Sequence, residues 1–86
     1  MIDAQFRSEE RYAKLSIGYE GKEERSLVST TVEDIIAKYK IQPQTYTCKV
    51  SDNRDVLVIE YHDDGDREAG AIFEEMIKTL NITECS

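Results

Sequence analysis

Val56-Leu57-Val58-Ile59-Glu60-Tyr61 is the most strand-like run in the chain, β-branched and apolar at both parities of an extended backbone. A strand that asks for cover on both faces belongs in the middle of a sheet, and the other elements arrange around it. Upstream, Thr45 to Val50 alternates, with Tyr46, Cys48 and Val50 on the apolar side and Thr45, Thr47 and Lys49 on the other. The polar Ser51-Asp52-Asn53-Arg54-Asp55 that separates the two runs reads as a turn. Downstream, Ala69, Ile72, Phe73, Met76, Ile77 and Leu80 recur at helical spacing, opposed by Arg67, Glu74, Glu75 and Lys78. The second half is therefore predicted as strand, strand, helix.

In the first half, residues 1 to 10 mix Phe6 with charges and predict an irregular N-terminal arm. From Tyr12 the chain alternates, with Ala13, Leu15, Ile17 and Tyr19 on one side, which predicts a half-buried strand. Glu20-Gly21-Lys22-Glu23 reads as a turn and Arg25 to Ser29 as the returning arm of a hairpin. Thr30-Thr31-Val32-Glu33 fits the capping box, and Val32, Ile35, Ile36 and Tyr39 share a helical face. Pro43 stops a helix near Ile41, so about ten residues of helix are expected.

The element order is thus ββαββα. It predicts one α+β domain over residues 11–86, a mainly antiparallel four-stranded sheet with two helices on one face. Val32 to Ile41 aligns without gaps on Phe73 to Ile82, as two stacked ββα units would, although amphipathic helices also resemble each other by necessity. Val56 and Val58 ask for cover on the face away from the helices. A homodimer through the sheet, or a partner's surface, would supply it.

Residues 12 to 41 resemble the opening of a ubiquitin-like domain, in which a hairpin leads into Ser29-Thr30-Thr31-Val32-Glu33-Asp34-Ile35-Ile36 at the start of a helix. The resemblance implies an adaptor whose sheet edge docks a partner by strand addition. The chain departs from that pattern in carrying a long helix and Cys85-Ser86 instead of a strand and a Gly-Gly tail, so conjugation through a terminal glycine is not expected.

Charge is unevenly distributed along the chain. The net charge is −7, yet residues 1 to 50 hold eight carboxylates and eight Lys or Arg, so the excess lies in residues 51 to 86, where ten carboxylates face Arg54, Arg67 and Lys78. Glu60, Asp63, Asp64, Asp66 and Glu68 form the densest stretch, against Arg67 alone. Such a face suits a protein with a basic surface, and spaced carboxylates can imitate the phosphates of a nucleic acid. The expectation is a small non-enzymatic interaction or inhibitor protein, of viral or microbial accessory type, that binds a basic partner through those five acids. Direct nucleic-acid binding is disfavoured by the like charge of phosphate.

A second possibility is a ligand- or metal-binding sensor using His62 with Asp63, Asp64 and Asp66, although the spacing is not that of an EF-hand loop. Asp64 or Asp66 capping the last helix accounts for part of the acidity without any ligand. No cofactor motif is present, and Gly18, Gly21, Gly65 and Gly70 form no phosphate-binding loop. Cys48 is expected to be a buried, inert thiol and Cys85 to be free, which leaves neither for nucleophilic catalysis nor for a disulfide. With no apolar run near 20 residues and no basic leader pattern, a cytoplasmic protein without membrane contact is expected.

Overall fold

The computed structural model describes residues 2–39, 42–62 and 66–82, and the side chains of all of these except Asp66 and Arg67. Its elements are β1 (Asp3–Glu9), β2 (Tyr12–Glu20), α1 (Gly21–Ala37), β3 (Gln44–Lys49), β4 (Arg54–His62) and α2 (Asp66–Thr79). The strands form one antiparallel sheet in the order β1-β2-β4-β3, and both helices lie on the same face. The α+β class and the ββαββα order are those expected, and β4 is internal as its two apolar parities require.

Between helices and sheet lies a single core. Ala13, Leu15, Ile17 and Tyr19 from β2 meet Ile59 and Tyr61 from β4. Val28, Val32 and Ile35 of α1 and Ala69, Ile72, Phe73 and Met76 of α2 close it. A polar clamp joins the helix layer: Lys38 Nζ lies 2.5 Å from one Glu75 carboxylate oxygen, and the Tyr39 hydroxyl donates to the other at 3.0 Å. Lys38 first, then Tyr39, holds the Glu75 carboxyl below the usual carboxylate range.

The first half differs from its expected form in two places. Residues 3 to 9 are a strand instead of an irregular arm, because Ile2, Ala4 and Phe6 alternate with charged or amide residues and Ala4 and Phe6 reach the core side. The turn to β2 uses Arg11 at φ 58°, so the hairpin carries no glycine to announce it. The expected second hairpin arm, Arg25 to Ser29, is helix instead, and Thr30 lies inside α1 and does not cap it. Lys22, Glu23, Glu24 and Arg25 are all good helix formers, and Val28 sits one turn before Val32 on the buried face. The Glu20 backbone N–H donates to Glu24 Oε1 at 2.7 Å, so the start of the helix is fixed by a side chain reaching back. Since residues 12 to 29 are a strand followed by helix, the hairpin that carried the ubiquitin-like resemblance is not formed.

Gly21 makes the β2-to-α1 junction possible, with φ of +80° and open space where a Cβ would stand. Gly21→Ala is therefore expected to lower stability by about 1 kcal/mol through backbone conformation alone, read as a shifted urea midpoint with an unchanged slope.

The halves are related by a pseudo-two-fold. A shift of 42 residues carries Leu15, Ile17 and Tyr19 of β2 onto Leu57, Ile59 and Tyr61 of β4. A shift of 41 carries Val28, Thr31, Val32 and Ile35 of α1 onto Ala69, Ile72, Phe73 and Met76 of α2, all of them buried. Ser16 pairs with Val58 at the axis. At the outer strands the equivalence fails: Phe6 of β1 corresponds to Thr47 of β3. Phe6 packs edge-on against Phe73 at 5.6 Å, whereas every residue of β3 is exposed.

Candidate functional site

The sheet face opposite the helices is uncovered among the described residues. Pairing places Gln44, Tyr46 and Cys48 of β3, Val56, Val58, Glu60 and His62 of β4, and Tyr12, Lys14, Ser16 and Gly18 of β2 on it. Val58 is only 6% exposed although it lies outside the core cluster, flanked by Tyr46 and Ser16. Cys48, expected to be buried, is exposed on this face, because β3 is an edge strand whose apolar parity points away from the helices. Its register puts it opposite Val56, six residues or about 20 Å along β4 from His62, so the two do not form a catalytic pair.

Glu60 is the best-defined polar group on the open face. Its side chain is 16% exposed, the Tyr12 hydroxyl donates to Oε2 at 2.5 Å, and His62 Nε2 lies 4.0 Å from Oε1. The Tyr12 and His62 rings lean together with centroids 5.1 Å apart. That hydrogen bond to Glu60, then burial, pushes the Tyr12 phenol up to about 12. Tyr46, paired with Val58 one step along, is also raised, first by burial and then by the Glu60 charge. Glu60 is thus a carboxylate walled by two phenols and an imidazole. Among the described residues no lysine or arginine lies within 4.0 Å of it, Lys14 being its cross-strand neighbour without forming an ion pair. A half-desolvated anion between aromatic walls is suited to a guanidinium or ammonium group, which gains from both charge and ring faces.

Of the other four acids expected at the site, only Glu68 has a described side chain, and it is not gathered with Glu60. Glu68 lies in the first turn of α2, in the helix layer, so the sheet separates it from Glu60. Asp66 opens α2, and Asp63 and Asp64 lie outside the described residues, as do the metal set built on them and the proposed cap at Asp64. Of the five acids, Glu60 and Glu68 therefore lie on opposite sides of the sheet. Among the described residues no group of three or more His, Cys, Asp and Glu could hold a metal ion. Tyr12 and Tyr46 went unnoticed in the sequence as site residues. The signal that could have found them is their parity, which matches that of Glu60 and His62 once the register is known.

At the opposite end of the sheet, a groove of about 430 Å³ runs between Gly21, Lys22 and Arg25 of α1 and Thr47 and Lys49 of β3. Arg25 is already paired there with Asp55 at 3.1 Å. On the open face Arg54 reaches over Gly18 to Asp3 at 2.5 Å, a path that a Cβ on Gly18 would block. Among the described residues no helix is long and apolar enough to cross a membrane.

No protein-family model, no curated protein and no solved structure matches the chain, so its functional reading rests on the residues themselves.

Proposed function

We propose that this chain is a non-enzymatic protein-interaction protein that takes a cationic side chain of a basic partner, arginine or lysine, at Glu60 on the open face of the sheet. The observation that carries the proposal is a carboxylate 16% exposed, held by Tyr12 and without a lysine or arginine partner among the described residues. Partly burying a charge is costly unless it is paired, and a partner's cation supplies the missing pair. Tyr12, Tyr46 and His62 supply the walls, and Val58 the floor. An inhibitor of an enzyme with a basic groove is one form such a protein would take.

The chain has no tryptophan, so its emission comes from five tyrosines, of which Tyr12 and Tyr46 line this site. Titrating arginine-rich and lysine-rich peptides is expected to change that emission. Glu60→Gln, which keeps the hydrogen-bonding shape, is expected to weaken binding about ten- to a hundredfold, in line with about 1.5–3 kcal/mol for a charged hydrogen bond. Glu68→Gln should leave the affinity unchanged, whereas Asp63→Lys with Asp66→Lys tests whether the loop extends the same surface. A peptide that binds the Glu60→Gln protein as tightly as the parent would overturn the proposal.

A further inference from the structure

We propose that a second copy of this chain pairs with the free edge of β3, antiparallel and centred on Thr47, to join two four-stranded sheets into one of eight. The backbone of β3 is set up for it. The Val50 N–H bonds the Arg54 carbonyl at 2.9 Å, so Val50, and by alternation Cys48, Tyr46 and Gln44, spend their hydrogen bonds on β4. The N–H and C=O groups of Thr45, Thr47 and Lys49 point out of the sheet.

Edge strands normally carry devices against such pairing, above all charged side chains. The two edges of this sheet differ sharply in that respect. β1 has Asp3, Arg7 and Glu9 among its seven residues and is anchored through Phe6 on Phe73. β3 has only Lys49 among six, contains no proline or bulge, and is exposed on both faces. The pseudo-two-fold explains the contrast: Thr47 stands where Phe6 stands in the other half, so the helix layer gains no grip on β3.

A second copy fits this edge better than a generic strand because the sequence is self-complementary in the register centred on Thr47. Hydrogen bonding requires odd-numbered residues to face odd-numbered ones. Centring on Thr47 pairs all of residues 44 to 50 and sets each Lys49 opposite Thr45 of the second copy. Tyr46 then lies beside Cys48 of the second copy, in the closer, non-hydrogen-bonded kind of pair. Centring on Lys49 would oppose two ammonium groups, and centring on Tyr46 would shorten the overlap and bring Pro43, which has no N–H, against Lys49. In the Thr47 register the apolar strips of the two open faces become continuous, through Val58, Tyr46, Cys48 and Val56 of each copy.

Each chain carries a net charge of −7, so association works against mutual repulsion and should tighten with salt. Sedimentation equilibrium from roughly 20 mM to roughly 500 mM salt should show a doubled mass that dissociates less readily as salt rises. Thr47→Pro removes an outward N–H that β4 does not use, and Thr47→Lys sets two ammonium groups opposite each other at the two-fold. Both are expected to give the monomer mass with unchanged far-ultraviolet circular dichroism. Register is read by mixing a Cys85→Ser chain with one carrying Tyr46→Cys, Cys48→Ser and Cys85→Ser under mild oxidant, which should trap a covalent heterodimer. A monomer mass at every concentration up to about 1 mM, a dimer that survives Thr47→Lys, or Cys48 crosslinking to itself instead would overturn the proposal. These masses need no peptide, so their failure and that of cation binding at Glu60 are told apart.

Discussion

Phe73→Ala is expected to destabilise the protein by about 3–5 kcal/mol, enough to leave a domain with about 5–15 kcal/mol of total stability partly unfolded. Phe73 is 1% exposed and touches two strands that are not neighbours in the sheet. Its ring meets Phe6 of β1 edge-on at 5.6 Å and Tyr61 of β4 at 5.7 Å. Truncation removes buried area, two aromatic contacts and the anchor of an edge strand at once. Urea denaturation should show the loss, and hydrogen exchange should show β1 amides opening before those of β2. Val32 is the pseudo-symmetric counterpart of Phe73 in α1, but no aromatic residue of β3 rests on it. Val32→Ala should accordingly cost less and leave β3 exchange unchanged. Equal losses for the two substitutions would contradict the asymmetry between the halves.

The second large effect concerns Tyr61, and it depends on pH. Tyr61 is 1% exposed and its hydroxyl has no hydrogen-bond partner among the described residues. Burial, then the neighbouring Tyr39 and Glu68, pushes its phenol from 10.0 up to about 12. The folded state thus favours the neutral phenol. Stability from this group is fully present below pH 10, and falls as pH rises towards 12, where the unfolded chain is ionised and the native one resists. By pH 12 the loss is about 2 kcal/mol. Tyr61→Phe abolishes that component and also removes an unsatisfied buried donor, so it should gain about 1 kcal/mol at pH 7 and a larger margin at pH 12. Thermal melts of the two proteins across pH 7 to 12 give the comparison. Tyr12 is raised as well and remains in both, so the difference between the curves isolates Tyr61. A Tyr61→Phe protein less stable than the parent at pH 7 would mean that the hydroxyl is bonded after all.

How much was legible in the sequence follows from where each signal lay. β4 and α2 carry strong periods of their own, two apolar parities in one and a wide stripe in the other, and no tertiary contact had to be known to place them. β1 carries an equally regular alternation, but of its inward positions Ala4, Phe6 and Ser8 only Phe6 is large and apolar, and its turn lacks glycine. The first turns of α1 were obscured by Val28-Ser29-Thr30-Thr31-Val32, whose β-branched run suits a strand and whose threonine looks like a cap. Propensity favoured strand locally, and packing of Val28 and Val32 on the sheet decided otherwise. For the site, Glu60 was readable as one acid among five, whereas its distinction from the others was not. That distinction comes from strand pairing, which brings Tyr12 from 48 residues away.

The seam between β2 and β4 also governs how this chain reaches its folded state. Each hairpin closes locally, through Glu10 and Arg11 in one half and residues 50 to 53 in the other. The seam instead joins Tyr12 to His62 and Glu20 to Arg54, so its formation must first overcome the entropy of closing a long loop. Two ββα halves can each take up their hairpins within microseconds, and the encounter between them, which closes the longer loop, is expected to limit the rate. Substitutions at the Ser16–Val58 axis should then slow refolding, and those at the outer strands should chiefly hasten unfolding. A chain built this way reaches its barrier as two half-formed units whose exposed inner strands are the surfaces most prone to mispairing with another molecule before they find each other.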